Sequence, residues 1–433
     1  MGGCVAMSAS AQETKQSQDL SVELNPVVVT GTGTHHRLKD TPTPVEVVTA
    51  NDIKKAGITD FREAMTALVP SLSFSTNSMG DYLMLNGLSN KYVLILINGK
   101  KLTGDSSNNI DLNRIDMSNV KRIEVLKGAG SALYGSDAIG GVINIITNQP
   151  INDITVTSNT KVEERGQFTQ TANVDIKTEK FASYTSYQRR QSDGWTLTRV
   201  DADGEARDQH DANAFYTDNY TQMFQFTPND KLSMYVEGSY YDRTVKRQPE
   251  YLKYNLTYDA YSLGAGAKYN FNKRSYIQFD IKNDNYDTNY LYTNEDGDNK
   301  VGDEVRQKRQ HYYSGNLKSL FRFTENTRTI FGVEYIQETL DRPSFNVDER
   351  AYTWAAYAQE EITLFKNLQI QAGLRYVYHE TAKSNVTPKL AVMYRLGDFT
   401  IRGQYSAGFR APGLDELYKY SYSQRGTRAG TLS

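Results

Sequence analysis

The residues most suggestive of chemistry lie in RIEVLKGAGSALYGSDAIGGVINIIT, residues 122–147. Two apolar, β-prone runs flank a loop containing Gly128, Gly130 and Gly135 and a Tyr-Gly-Ser-Asp cluster. Loops of this kind can cradle phosphates with backbone N–H groups. The dinucleotide pattern G-x-G-x-x-G fails here, because Leu133 occupies the place of the third glycine. The P-loop pattern fails as well. Gly130 and Gly135 have its spacing, but Ser136 stands where a lysine must reach the distal phosphates. The run from Ile139 to Ile146 is short and β-branched, so it reads as a strand. What remains is strand, glycine-rich loop, strand in a compact domain.

Other candidate sites are weaker. The single cysteine, Cys4, excludes an intramolecular disulfide and a cysteine-based metal site. NEDGDNKVGDE (294–304) is acidic but lacks the ordered ligand spacing of a calcium loop, and it reads as a solvated run. No Ser/His/Asp spacing, metal motif or carboxylate pair rises above background, so the chain does not read as an enzyme. No cofactor and no bound metal are expected.

Composition narrows the class. A net charge of −2 over 433 residues gives no basis for nucleic-acid binding. No apolar run reaches the 18 or so residues of a membrane-spanning helix. Transmembrane barrels alternate apolar and polar residues, so a mean hydropathy of −0.61 does not exclude them. The 31 tyrosines suit membrane-interface girdles and ligand-facing loops, where an apolar ring with a polar tip is useful.

The elements fall into four regions. Residues 1–11 read as the remnant of a secretory signal, with the small-residue pattern Ser8-Ala9-Ser10-Ala11 but no basic start. Residues 12–40 form a flexible segment that includes NPVVVTGTG, a short β-prone stretch open to capture by another protein's sheet edge. Residues 41–150 read as a mixed α/β domain. It has strands at TPVEVVT, YVLILI, VKRIEVLKG and GVINIIT, an Asn98-Gly99 hairpin turn, and Asp52 as the cap of a helical turn. Asp60 is the expected N-cap of FREAMTALV, which Pro70 ends. From 151 to 433, strands of about ten residues alternate apolar and polar positions. Leu232, Met234, Val236 and Tyr240, and Ile277, Phe279 and Ile281, mark the apolar face. Short turns at TPNDK, NFNKRS, TENTR and LFKN alternate with longer polar stretches at 190–212, 242–258, 285–308 and 339–352. Short on one side and long on the other is the outer-membrane barrel pattern.

Taken together, VVVTG (27–31), the 122–147 stretch, VTPKLAVMYRL and YSAGFRAPGLDELY (405–418) resemble the TonB-dependent receptors of Gram-negative outer membranes. The resemblance covers roughly residues 25–420 and implies an α/β plug inside an antiparallel β-barrel of about 22 strands. It implies active import of a scarce large ligand, an iron-siderophore, haem or cobalamin, energised by TonB and its inner-membrane complex. The alternative is a receptor that senses a ligand without importing it, or a truncated fragment without function. Outer-membrane lipid and a metal-chelate or corrinoid ligand are the other expected partners, and a monomer is expected.

The resemblance assigns residues. Val27, Val28, Val29 and Thr30 take the place of the TonB box. The plug apices, Met79, Gly80, Asp81 and Tyr82, and Asp105, Ser106, Ser107, Asn108 and Asn109, are expected at the ligand. Tyr240, Tyr241, Arg243, Tyr290 and Tyr292 in outer loops could stack on or pair with an anionic chelate. Glu124, Lys127, Gly128, Tyr134, Gly135 and Asp137 form the plug-end packing motif, with Glu124, Lys127 and Asp137 facing charges on the barrel wall. Phe409, Arg410, Ala411 and Pro412 form the FRAP-type segment. Neither apex carries the histidine common in haem receptors, which weakens haem as the ligand. About 13 strands follow the plug, so the resemblance implies a barrel truncated at both ends, from a receptor about 200–250 residues longer.

Overall fold

The structure, a computed structural model, describes residues 5–7, 26–77, 80–106, 109–200, 204, 206–247, 252–418, 420–423 and 426–429. The regions read as signal remnant and polar leader lie almost wholly outside them.

The α/β unit is built on a five-stranded sheet. In spatial order its strands are Val45–Thr49 (β1), Val120–Lys127 (β2), Gly141–Thr147 (β3), Val93–Ile97 (β4) and Lys100–Lys101 (β5). The glycine-rich loop joins β2 to β3, which pair antiparallel, so the opening stretch is a hairpin. Its loop carries one turn of helix, Ser131–Tyr134 (α1). The Asn98-Gly99 turn has φ of 51° and 81°, the left-handed pair that a two-residue hairpin needs. The helix Phe61–Leu68 (α2) starts where Asp60 accepts the N–H of Glu63 at 3.0 Å, as its sequence predicts. The preceding helix, Ala50–Ala56, differs from expectation. Its cap is Thr49, and Asp52 reaches back to the Thr49 N–H, forming a capping box. Phe61 and Met65 of α2 pack with Ile123, Ile143 and Leu85 in one apolar core.

Around this unit runs a fourteen-stranded antiparallel sheet. One strand is Val5–Met7; the other thirteen run from Ile154–Val162 to Phe399–Ser406. The sheet is apolar outside and polar inside. Val236, Leu263, Phe279, Ile281 and Val333 are each about half exposed, while Thr169, Thr171 and Asn173 are buried toward the α/β unit. An outward apolar face suits lipid, and the inward polar face suits a hydrated plug. Aromatic rows edge the apolar band. Tyr187, Tyr220, Tyr240 and Tyr261 share one register row across four adjacent strands. Near the short turns, Phe271, Phe321 and Phe323 stack with ring centroids 5.8 and 5.9 Å apart. Such girdles mark the membrane–water interfaces.

Many strands are longer than the ten residues expected, reaching 19 in Tyr254–Asn272. They continue past the apolar band as paired polar strands. The interval expected as a loop at 339–352 shrinks to the 3-10 turn Pro343–Phe345 and its flanks. Tyr240, Tyr241, Arg243, Tyr290 and Tyr292 therefore lie on strands and not in loops. Alternation alone could not fix where pairing stops, because backbone ladders form on polar sequence too.

Candidate functional site

The segment VVVTGTGTH enters the barrel at the short-turn end and is held along its length. Val28, Thr30 and Thr32 are buried, while Val27 is 42% exposed. The fully buried Glu124 carboxylate accepts the N–H groups of Val29 (2.9 Å) and Thr30 (2.8 Å) and the Thr30 hydroxyl (2.6 Å). Its second oxygen accepts from Arg122 Nε at 2.7 Å. Tyr134 donates its hydroxyl to the Thr30 carbonyl at 3.0 Å, and Asn144 Nδ2 donates to Thr30 Oγ1 at 3.1 Å. The barrel wall completes the cradle. Lys389, Gln359 and Lys318 donate to the carbonyls of Gly31, Thr32 and Gly33 at 2.9, 2.7 and 2.6 Å. His36 then pairs with Glu361 at 2.8 Å, beside Arg328. The stretch expected to be open to capture is thus docked against the plug.

Glu124 and Lys127 do not face charges on the wall as expected. Glu124 serves the N-terminal segment, and Lys127 pairs with Glu46 of β1 at 2.8 Å. In a two-layered interior, β2 is a central strand whose side chains meet the plug's own neighbours first. Asp137 does reach outward, toward Arg410 at 3.5 Å, and also pairs with Lys101 of the plug at 2.9 Å. Gly135 has φ +80°, and a Cβ there would stand 2.9 Å from Arg375 Nη2 of the wall. This is close approach that only glycine permits. Gly128 also has positive φ, +88°, but faces open space.

The two motifs most distinctive in the sequence touch each other. Phe409 N–H donates to Ser131 Oγ (3.2 Å) and Ala411 N–H to Ser136 Oγ (3.1 Å). Arg410 pairs with Glu416, which also pairs with Lys91 of the plug. Burial raises the Glu416 pKa, but the bonds from Lys91 and Arg410 outweigh it and hold the carboxyl below its usual range. Asp415 accepts from Lys308 at 2.8 Å and pairs with Arg342, tying this segment to the long-loop end of the wall.

The expected apices are hairpins. Gly80, Asp81 and Tyr82 begin the strand Gly80–Leu85, paired with Leu72–Asn77. Asp105 and Ser106 pair with Ile110 and Asn109. Met79, Ser107 and Asn108 lie outside the described residues. Asn109 accepts from Asn90 at 3.1 Å.

Of the five residues expected to face a ligand from outer loops, Tyr240 points outward into the aromatic row and is 47% exposed there. Tyr240 and Tyr241 are consecutive on a strand, so only one can face in. Tyr241 does face in, but it meets the plug. Its hydroxyl donates to Asp111 at 2.6 Å, joined by Tyr286 at 3.0 Å and Arg243 at 3.2 Å. Tyr290 and Tyr292 share the strand face of Tyr286, and Tyr290 stacks on Tyr254 at 3.7 Å. Sequence reasoning missed Asp111 and its neighbour Arg114, which pairs with the buried Asp284 at 2.7 Å. Their partners are 130 to 175 residues away, and no local pattern announces them. Between plug and wall a cavity of about 860 Å³ remains, lined both by charged side chains such as Lys100, Lys101, Glu237 and Glu338 and by apolar ones such as Leu133 and Ile336.

Comparison with known proteins decides the family. The TonB-dependent receptor plug domain matches residues 37–142, and the TonB-dependent receptor-like β-barrel matches residues 165–432. The chain belongs to the TonB-dependent receptors. A bacterial outer-membrane location goes with this membership. The receptor is 24% identical over 462 residues to an iron-regulated outer membrane virulence protein of Vibrio cholerae, covering 96% of this chain and 64% of the relative. It is 25% identical over 423 residues to the vitamin B12 transporter BtuB of the same species, covering 92% and 64%. The ferric enterobactin receptor PirA of Pseudomonas aeruginosa is 25% identical over 488 residues, covering 95% and 64%. The chain thus spans about 64% of the length of these curated relatives. In fold the receptor resembles the solved siderophore receptor PirA of P. aeruginosa, with a TM-score of 0.67 and 20% identity over 89% of this chain and 68% of that one. It also resembles the FrpB iron transporter of Neisseria meningitidis, with a TM-score of 0.72 and 17% identity over 85% and 64%.

Proposed function

We propose that the receptor takes part in TonB-energised import of a large ligand of the iron-siderophore or cobalamin class, with haem a weaker candidate. The relatives named above are an iron-regulated protein, a vitamin B12 transporter and a ferric enterobactin receptor. The observation that carries the reading is the docked segment Val27–Thr30, a two-residue strand, Val27–Val28, paired with His36–Arg37 and followed by a turn. It is held at the short-turn end chiefly by hydrogen bonds, with Val28 alone inserted among Val45, Leu94, Leu126 and Val142, and with Val27 exposed. A segment held this way can leave when water replaces its partners, and it then offers free backbone to another sheet edge. Val27, Val28, Val29 and Thr30 are accordingly read as the TonB-binding element.

The plug's grip on the wall supports the same reading. It is made of ion pairs and hydroxyl bonds, such as Arg114–Asp284, Tyr241–Asp111 and Arg190–Asp60. Polar interfaces of this kind rearrange at modest cost, because each lost bond is exchanged for one to water. The outer membrane has no ATP, so force must arrive through a partner from the periplasmic side.

The test is deletion of Val27–Thr30 in the natural gene product, with uptake and cell-surface binding measured for ferric enterobactin, cyanocobalamin and haemin. The expected result is lost uptake of one of them with its binding retained. Loss of both, or persistent uptake, rejects the assignment.

A further inference from the structure

The one-turn helix α1 touches one segment that runs on to the long-loop end of the barrel and another that is docked toward the short-turn end. On its outer side, Ser131 and the nearby Ser136 accept the N–H groups of Phe409 and Ala411. That segment is anchored to the long-loop end through Asp415 and Lys308. On its inner side, Tyr134 donates to the Thr30 carbonyl at 3.0 Å, next to the Glu124 clamp at the short-turn end. Only three positions, from Ser131 to Tyr134, therefore separate a contact with the outer segment from a contact with the docked segment.

The helix has no slack. Arg375, almost wholly buried, donates to the Leu133 carbonyl at 3.3 Å while paired with Glu334 and set 5.2 Å from the Tyr357 ring centroid. At Gly135 even a Cβ would press on Arg375, and at Gly130 one would stand 2.8 Å from Val142 Cγ2. A close-packed element of this size shifts as a body and does not deform. A pull on Ser131 and Ser136 must therefore displace Tyr134 as well. The Thr30 carbonyl would lose its buried donor, and the docked segment would be loosened.

We propose that α1 is the relay by which the outer segment 408–416 controls docking of the segment Val27–Thr30. Its role in import rests on the reading of that docked segment as the TonB-binding element. Ser131, Ser136 and Tyr134 are positioning residues. Spatial connection does not by itself establish coupling, so the test is a mutant cycle read at the far end.

The natural gene product, with native cysteines replaced, carries a nitroxide at Val27→Cys and sits in liposomes without TonB. Tyr134→Phe removes one hydrogen bond and should raise the ratio of mobile to immobile label roughly fivefold. S131A/S136A, which removes the acceptors of the Phe409 and Ala411 N–H groups together with the plug bonds of Ser131 to Ala138 and Ser136 to Asp137, should raise it comparably. The combined variant should match Tyr134→Phe alone, because the outer change no longer has a route to Thr30. Independent increments that multiply, or an immobile label in S131A/S136A, overturn the relay. Should S131A/S136A fail to insert, Arg410→Ala perturbs the same segment from its own side and is judged by the same cycle. Binding of TonB's periplasmic domain is measured separately. A mobilised label with the expected cycle but no TonB binding supports the relay and rejects the import reading.

Discussion

The carboxylate of Glu124 holds Thr30 twice, at its N–H (2.8 Å) and its hydroxyl (2.6 Å), across 94 positions of sequence. One buried acid thereby fixes the backbone of the segment proposed above as the TonB-binding element. The same oxygen takes the Val29 N–H, so three donors depend on a single atom. Replacing Glu124 with Gln keeps the shape but exchanges a charged acceptor for a neutral one. Leaving buried donors poorly paired costs about 1–3 kcal/mol. The expected outcome is faster proteolytic cleavage within residues 26–36, with the barrel's own resistance unchanged. An unaltered cleavage rate would mean that the wall lysines hold the segment unaided.

Gly135 should tolerate no side chain. Its φ of +80° and ψ of −143° lie in a region nearly confined to glycine, and Arg375 blocks the Cβ position. Gly135→Ala is expected to destabilise the plug by about 1–3 kcal/mol. Gly128→Ala, with positive φ but open space, should cost less. Denaturant titration followed by a plug-specific probe would rank the two, and equal losses would refute the crowding argument.

The anchor at Asp111 should be acid-sensitive. Burial pushes its pKa up, but Arg243 and the hydrogen bonds from Tyr241, Asn113 and Tyr286 outweigh this and hold it below the usual carboxylate range. An unfolded aspartate titrates near pH 3.9. A lowered native value means that the anchor's stabilisation is complete above about pH 4 and is lost as pH falls through the native value. Plug stability should therefore be flat on this account from pH 5 to 8 and drop below pH 4. In Asp111→Asn the plug should be weaker at neutral pH and the acid drop smaller. A wild-type-sized acid drop in that variant would assign the effect to other carboxylates.

The outward face should reject charge. Leu263 is 55% exposed on the apolar band, between the tyrosine row and the short turns. Leu263→Arg, one outward row inside the tyrosine girdle, is expected to destabilise the protein in a bilayer by more than an interfacial arginine does and by less than a midplane one, which costs about 2–4 kcal/mol. Arg in place of Ser262, on the inward face, is opposed only by packing against the plug. Folding yield into liposomes, compared with yield in detergent, separates the two. Equal bilayer penalties would mean that the faces are wrongly assigned.

Much of this receptor could be read from the chain. Period-two alternation set the inside and outside of the wall, because side chains on a strand take opposite faces wherever it pairs. Asp60 started α2, and Asn98-Gly99 made its hairpin, because those signals act over two to four residues. The missing third glycine and the missing lysine excluded a phosphate cradle and left strand, loop, strand; the antiparallel pairing that makes it a hairpin came from the structure. Other features depended on which surfaces meet. Tyr240 and Tyr241 are alike in sequence, yet one joins a lipid-facing row and the other bonds to Asp111, by strand parity. Glu124 could face a wall or a neighbouring segment, and only the packing of Val27–Thr30 against β2 decided between them. The strands' true lengths, the Asp111 anchor and the contact of Ser131 with Phe409 likewise arise between residues far apart in the chain. Such pairings lower the energy only once the plug lies inside the wall, so local sequence carries no separate signal for them.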